Sequence, residues 1–202
     1  MAVKGKTAKA HRVGEVVSAS TAAFQVHCHK LYEAPPLGSL IRCGTDGSLV
    51  YGVVANILTE SLDPSRKPIA RGADEDSEEA VYRSNPQLTR LLATRFDAVA
   101  VGFQDSGGLH RYLAPLPPRV HSFAYRCDEG EAREFTESLE PIAVLLGAPI
   151  ASQDEVVAAF LRLASRAHPD PQAFLVRAGK ELAVQLIGQS QRLNAILRRL
   201  SR

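Results

Sequence analysis

The stretch from Gly14 to Leu58 constrains this chain most, because alternating apolar residues and turn residues recur there at the spacing of a small closed sheet. Ala23 to Cys28 puts Phe24, Val26 and Cys28 on one strand face and Gln25 and His27, followed by His29, on the other. Gly14-Glu15-Val16-Val17 precedes it and Leu37 to Cys43 follows. Leu49 through Leu58 is apolar on both faces, the mark of a central strand. Gly44-Thr45-Asp46-Gly47 supplies the positive-φ positions of a hairpin between the third and fourth runs. The pattern predicts a barrel with Val16, Val26, Ile41 and Val53 lining one interior, and a barrel alone says little about chemistry.

Beyond this block the alternation stops. Residues 59–82 read as a long loop holding Pro64, Pro68, Gly72 and the acidic run Asp74, Glu75, Asp76, Glu78 and Glu79. That run lacks the central glycine and ligand spacing of a calcium loop, so it reads as solvated charge. Asn85-Pro86 opens a short helix from Gln87 to Ala93. Phe96 to Phe103 is then a strand, Asp105-Ser106-Gly107-Gly108 a turn, and His110 to Leu113 a returning strand. This second hairpin closes the barrel, and Pro115, Pro117 and Pro118 end its ladder because proline has no N–H to donate. The barrel domain is therefore expected over 13–120.

After Glu129 the apolar period lengthens to that of helices, which predicts a helical domain over 129–202. Pro141 divides Ala132–Leu146 into two short helices. Ser152-Gln153-Asp154-Glu155 reads as a capping box, and Asp170 as an N-cap with Pro171 at the first helical position. Leu175, Gly179, Leu182, Leu186, Gln189, Leu193, Ile196 and Leu200 follow at alternating steps of four and three, the spacing of a coiled-coil seam. Such a stripe packs on its own domain, or pairs with a second copy or a partner. The fold class is α+β: an N-terminal small closed β-barrel followed by a C-terminal helical segment.

With 202 residues and 45% apolar content, the chain can bury a sizeable core without staples. Its net charge of +2 hides a segregation: Lys4, Lys6, Lys9 and Arg12 crowd one end, Arg192, Arg198, Arg199 and Arg202 the other. Residues 1–12 read as a disordered basic arm, either solvated or touching nucleic acid or an acidic protein surface. Gly5-Lys6-Thr7 is no phosphate loop, since the first glycine of that motif would precede Met1. Cys28, Cys43 and Cys127 are odd in number and lack CxxC spacing, which argues against a disulfide framework or a zinc knuckle and for a reducing compartment. No apolar run approaches the roughly 20 residues of a membrane span, and no apolar signal segment follows the basic start. A cytoplasmic location is expected.

Candidate chemistry is sparse. His27 and His29 share a strand face at a spacing that can place both on a metal, with a third ligand from His110 or His121, but nothing in the spacing requires this and surface histidines are the favoured reading. Cys28 faces inward with Phe24 and Val26 and reads as a small hydrophobe. No GxSxG, HExxH, GxGxxG after a strand, or paired-carboxylate motif occurs. The expectation is a non-enzyme with no catalytic, cofactor-binding or metal residues. An enzyme reading would have to use Asp97, Gln104, Asp105 and His110 around the second hairpin.

Gly14-Glu15-Val16-Val17, Leu37-Gly38-Ser39-Leu40-Ile41, Tyr51-Gly52-Val53-Val54, Ala98 to Gly102 and Pro115-Leu116-Pro117-Pro118 together resemble the HAS-barrel family. That family is the small barrel at the N-terminus of HerA-type DNA-translocating ATPases and of the α and β subunits of rotary ATP synthases. The resemblance extends to about Pro118. It implies a barrel without catalysis that packs side by side into rings and offers a docking surface. The chain departs from the family after residue 120, where a phosphate loop and an acidic metal-binding residue would stand. The resemblance therefore implies an assembly module without its motor, unable to hydrolyse ATP alone.

Two functions follow as expectations. One is a non-enzymatic adaptor or assembly module that docks on an ATPase or nuclease complex, as a DNA-repair accessory, or self-oligomerises. The alternative is a nucleic-acid-binding barrel using the basic termini, against which Phe24, Tyr32, Tyr51, Phe103 and Tyr112 are few and dispersed.

Overall fold

A computed structural model of the protein describes residues 11–45, 47–63 and 65–200. Most of the basic arm lies outside the described residues, although His11 and Arg12 already belong to the first strand. The strands are β1 (His11–Ala19), β2 (Ala23–Cys28), β3 (Leu40–Thr45), β4 (Ser48–Ser61), β5 (Leu92–Asp105), β6 (Gly108–His110) and β7 (Phe123–Arg126). The helices are α1 (Glu78–Ser84) and α2 (Leu88–Leu91) between β4 and β5, then α3 (Glu129–Phe135), α4 (Pro141–Gly147), α5 (Gln153–Ser165), α6 (Pro171–Gln185) and α7 (Ser190–Leu200). No helix among the described residues is long and apolar enough to cross a membrane.

Six strands close an antiparallel barrel in the cyclic order β1-β7-β3-β4-β5-β2, with β6 added to the end of β5. Closure differs from the sequence expectation in one strand. The hairpin partner β6 is only a short extension of β5, and the sixth stave is β7, inserted between β1 and β3. Its residues lie beyond 120, so the barrel runs to Arg126. The four-residue strand falls between Pro118 and an acidic helix start, too short for alternation to announce it. Gly47, with φ of 97°, makes the tight β3–β4 turn.

Two apolar clusters share the sheet. Val16, Val26, Ile41, Val54, Phe96 and Ala124 fill the barrel. Val53 does not join them. Alternation turns it outward with Tyr51 and Ala55, where it meets Phe135, Ile142, Phe160, Phe174 and Leu182 of the helices. The same holds for Val99 and Val101 on β5. This explains why both strands are apolar on both faces: one face fills the barrel, the other carries the helical layer. The helical region is thus bound to the barrel through one continuous core.

Within that region, Pro141 opens α4 after a break, and the Asp170 carboxylate accepts from the Ala173 N–H 2.9 Å away to start α6. Ser152 behaves otherwise than expected. Its backbone is left-handed, with φ of 55°, and its side chain caps nothing. The Glu155 carboxylate instead pairs with Arg199. A reciprocal capping box does occur, at Asp128 and Glu131, opening α3. The seam-spaced stripe is split into α6 and α7 by the turn at Gly188. Leu182, Leu186, Ile196 and Leu200 are buried within the chain's own core, and Leu175 and Leu193 pack against it.

Candidate functional site

The histidines come together differently from the metal-ligand set weighed against surface histidines above. β1 and β2 pair so that Glu15 lies opposite His27. The carboxylate of Glu15 sits between His29 Nε2 at 3.9 Å and His121 Nδ1 at 3.3 Å. His27 beside them has its pKa lowered by burial first and by the Arg95 guanidinium second. His110 lies elsewhere, on β6. Among the described residues no group of three or more histidine, cysteine or acidic side chains is arranged to hold a metal ion.

The four polar residues of the second hairpin separate into three sets. Asp97 accepts from Gln25 Nε2 at 2.9 Å and from Asn56 Nδ2 at 3.0 Å, which ties three strands together. Gln104 accepts from the Tyr51 hydroxyl at 3.1 Å. Asp105 accepts from the Gly107 N–H at 2.7 Å and faces His110 Nε2 at 3.1 Å. The turn N–H first, and His110 second, hold the Asp105 carboxyl below its usual range. His110 in turn stacks on Phe103 with ring centres 4.5 Å apart, and its Nδ1 lies 3.3 Å from the Tyr112 hydroxyl. The resulting carboxylate, imidazole and phenol string closes the hairpin and ends at an exposed tyrosine.

Burial pushes the Cys28 thiol up to about 11 and the Cys43 thiol up to about 12, and raises that of Cys127 well above its usual value. Cys28 and Cys43 are buried packing residues, Cys127 is half-buried, and burial disfavours the reactive thiolate form. The acidic run is likewise structural in part. Ser77 caps α1 through the Ala80 N–H at 3.1 Å, and Glu78 and Glu79 occupy its first turn, where the helix dipole favours them. The loop between β4 and α1 is accordingly shorter at both ends than 59–82. The C-terminal arginines are partly neutralised: Arg192 reaches Asp154 at 2.7 Å, and Arg199 pairs with Glu155.

Two surfaces stand out that sequence reading missed. On the outer barrel face, the Arg12 guanidinium lies 4.6 Å from the ring centre of the exposed Phe123, with His29 on the same ring at 6.3 Å. Beside it Arg42 lies 5.1 Å from the Tyr125 ring centre and 2.6 Å from Glu131. This basic and aromatic ladder depends on pairing β7 with β1 and β3, far away in the chain, so no local pattern displays it. The second surface is the outer side of α6. Phe174, Ala178 and Leu182 face the core, while Val176, Val184 and Ile187 remain 50%, 61% and 79% exposed. At about 100° per residue Val176 and Val184 fall within roughly a quarter of the helix circumference, and Ile187 follows in the turn after the helix ends at Gln185. The apolar character of Val176, Val184 and Ile187 was visible in the sequence, hidden behind the stronger seam.

No protein-family model matches this chain, and no curated protein matches it.

Proposed function

We propose that this chain is a non-enzymatic adaptor or assembly module, a HAS-like barrel carrying a helical layer, that docks on a larger ATPase or nuclease complex or on a second copy of itself. The observation that carries this reading is the outer side of α6 and the turn after it, where Val176 and Val184 on the helix and Ile187 in the turn keep apolar surface in water although Phe174, Ala178 and Leu182 on the opposite side of the helix are buried. Scattered exposed apolar residues are ordinary, whereas apolar side chains gathered on one side of a helix and the turn after it favour a contact surface. The shared core between barrel and helices supports the same reading, because it presents those side chains on a fixed frame. The polar clusters described above close turns and tie strands, which fits a scaffold better than a reaction centre.

The test compares the full chain with its Val184→Asp/Ile187→Asp variant by light scattering after gel filtration and by in-cell cross-linking with mass spectrometry. Cross-links from α6 to one defined protein, or to a second copy, are expected in the wild type and lost in the variant, with melting unchanged. A strictly monomeric chain whose cross-links ignore α6 overturns the reading.

Nucleic-acid binding at the outer barrel face has its own support in Arg12 over Phe123. Among the described residues Arg12 has no carboxylate partner, and Lys4, Lys6 and Lys9 precede it in the chain. A base stacking on that pair and phosphates meeting those cations would bind with steep salt dependence. Fluorescence anisotropy with labelled oligothymidylate tests it: binding at low salt that Arg12→Ala/Phe123→Ala weakens is expected. Absence of binding at low salt eliminates it.

A further inference from the structure

Beyond the point where β2 leaves β5 at His27 and Arg95, β4 and β5 continue as a two-stranded ribbon out to the Ser61–Leu92 pair. The chain between them folds back over the ribbon tip. A groove of about 430 Å³ lies there, floored by Leu62, Ile69, Leu88, Leu91 and Leu92. Leu62, Ile69 and Leu91 are 43%, 70% and 50% exposed, so three large apolar side chains converge on one concavity open to water. A concave apolar surface of this size is a binding site far more often than a flat one.

The groove is held in shape from below. The Leu62 N–H donates to the Leu91 carbonyl at 2.8 Å, carrying the ladder one step past the ribbon. Arg71 donates to Asn85 at 3.3 Å across the fold-back, and the Tyr82 hydroxyl on α1 bonds that of Tyr32. The rim is cationic: Arg66, Lys67 and Arg71 line it, against the single carboxylate of Asp63. That carboxylate is already engaged, with Arg66 at 3.3 Å and with both the N–H and the hydroxyl of Ser65. Among the described residues no carboxylate pairs with Lys67 or Arg71. Among the described residues that line the groove none is aromatic, so a nucleic-acid strand would find cations but nothing there to stack on.

We propose that this groove docks an acidic amphipathic segment of a partner protein, its Leu, Ile, Phe or Met side chains on the apolar floor and its Asp or Glu side chains against Lys67 and Arg71. The recognition mode is that of an amphipathic helix laid in an apolar groove, with charge setting register and orientation. The groove stands apart from the α6 face, and either surface can fail its test alone.

The experiment pans a displayed library of random 16-residue peptides against the full chain, then measures a fluorescein-labelled consensus peptide by polarisation. Peptides combining acidic residues with apolar residues at helical spacing are expected. Ile69→Asp/Leu91→Asp and, separately, Lys67→Glu/Arg71→Glu should each weaken the consensus peptide by about tenfold or more, the usual effect of losing interface anchors. Added salt should weaken it further. All four side chains lie on the surface lining, and unchanged melting verifies that the variants fold. Failure to enrich any peptide, enrichment of basic or uncharged peptides, or binding indifferent to both variants overturns the proposal. Displacement of the peptide by labelled oligothymidylate would assign the groove to nucleic acid and overturn it equally. None of these outcomes touches Val184 or Ile187, so the adaptor reading is judged separately.

Discussion

Replacing Phe135 by alanine tests whether barrel and helices are one cooperative body. Phe135 ends α3, is fully buried, and lies with its ring centre 4.9 Å from that of Tyr51 on the outer face of β4. It reaches the sheet because residue 102 on β5 is glycine; a Cβ there would stand 2.9 Å from the ring atoms Cε2 and Cζ of Phe135. Emptying a buried phenylalanine site costs about 3–5 kcal/mol through lost transfer energy and an unfilled cavity. That is a large share of the roughly 5–15 kcal/mol that stabilises a domain. For a chain of this size, at about 2–4 °C per kcal/mol, the melting temperature should fall by about 6–20 °C. Far-ultraviolet circular dichroism follows the helices, and near-ultraviolet tyrosine signals follow the barrel, since the chain has no tryptophan. Both should shift together through a single transition, because Tyr51, Val53, Val99 and Val101 share a cluster with the helices. Two resolved transitions, or a helical signal that falls while the tyrosine signal stays, would refute the shared core.

Gly38→Ala should destabilise the chain by at least about 1–2 kcal/mol from its left-handed backbone alone. Gly38 has φ of 81° and a Cβ would sit 2.5 Å from the Ala159 carbonyl carbon of α5, so urea unfolding should show a larger loss than an exposed glycine such as Gly147 gives. Ellman's reagent should leave the buried Cys28 and Cys43 unmodified in the native chain at about pH 8 and modify both in denaturant, given their burial and raised pKa values. Fast native labelling would contradict that packing. His168 stacks on Phe174 at 4.2 Å and faces the Thr136 hydroxyl at 2.9 Å, and burial, then Arg177 and Arg133, lower its pKa from 6.5. The unfolded chain therefore takes up the proton first, so this contribution is whole above about 6.5 and lost as pH falls toward the folded value. Urea midpoints at about pH 7.5 and about pH 5 should differ less in His168→Gln than in the wild type; equal differences would refute the linkage.

Local chemistry in the sequence reached the staves β1 to β5, the break at Pro141 and the cap at Asp170, because period-two alternation, a missing proline N–H and a carboxylate at an N-terminus act within a few residues. The Asp128 and Glu131 box had the same kind of signal, an acid followed three residues later by glutamate, and was legible in principle. Ser152 shows the limit. Its spacing satisfied the rule, yet Arg199, 44 positions away from Glu155, took the carboxylate the box required.

The sequence by itself determined that a barrel precedes helices, since side-chain alternation and turn residues are properties of short segments. Only the tertiary structure decided which face of β4 is interior, that β7 is the sixth stave, that the seam turns inward while Val184 and Ile187 stay in water, and that Leu62, Ile69 and Leu91 meet in a groove. Each of those outcomes depends on pairing between residues far apart in the chain, where alternation permits two faces and only packing selects one.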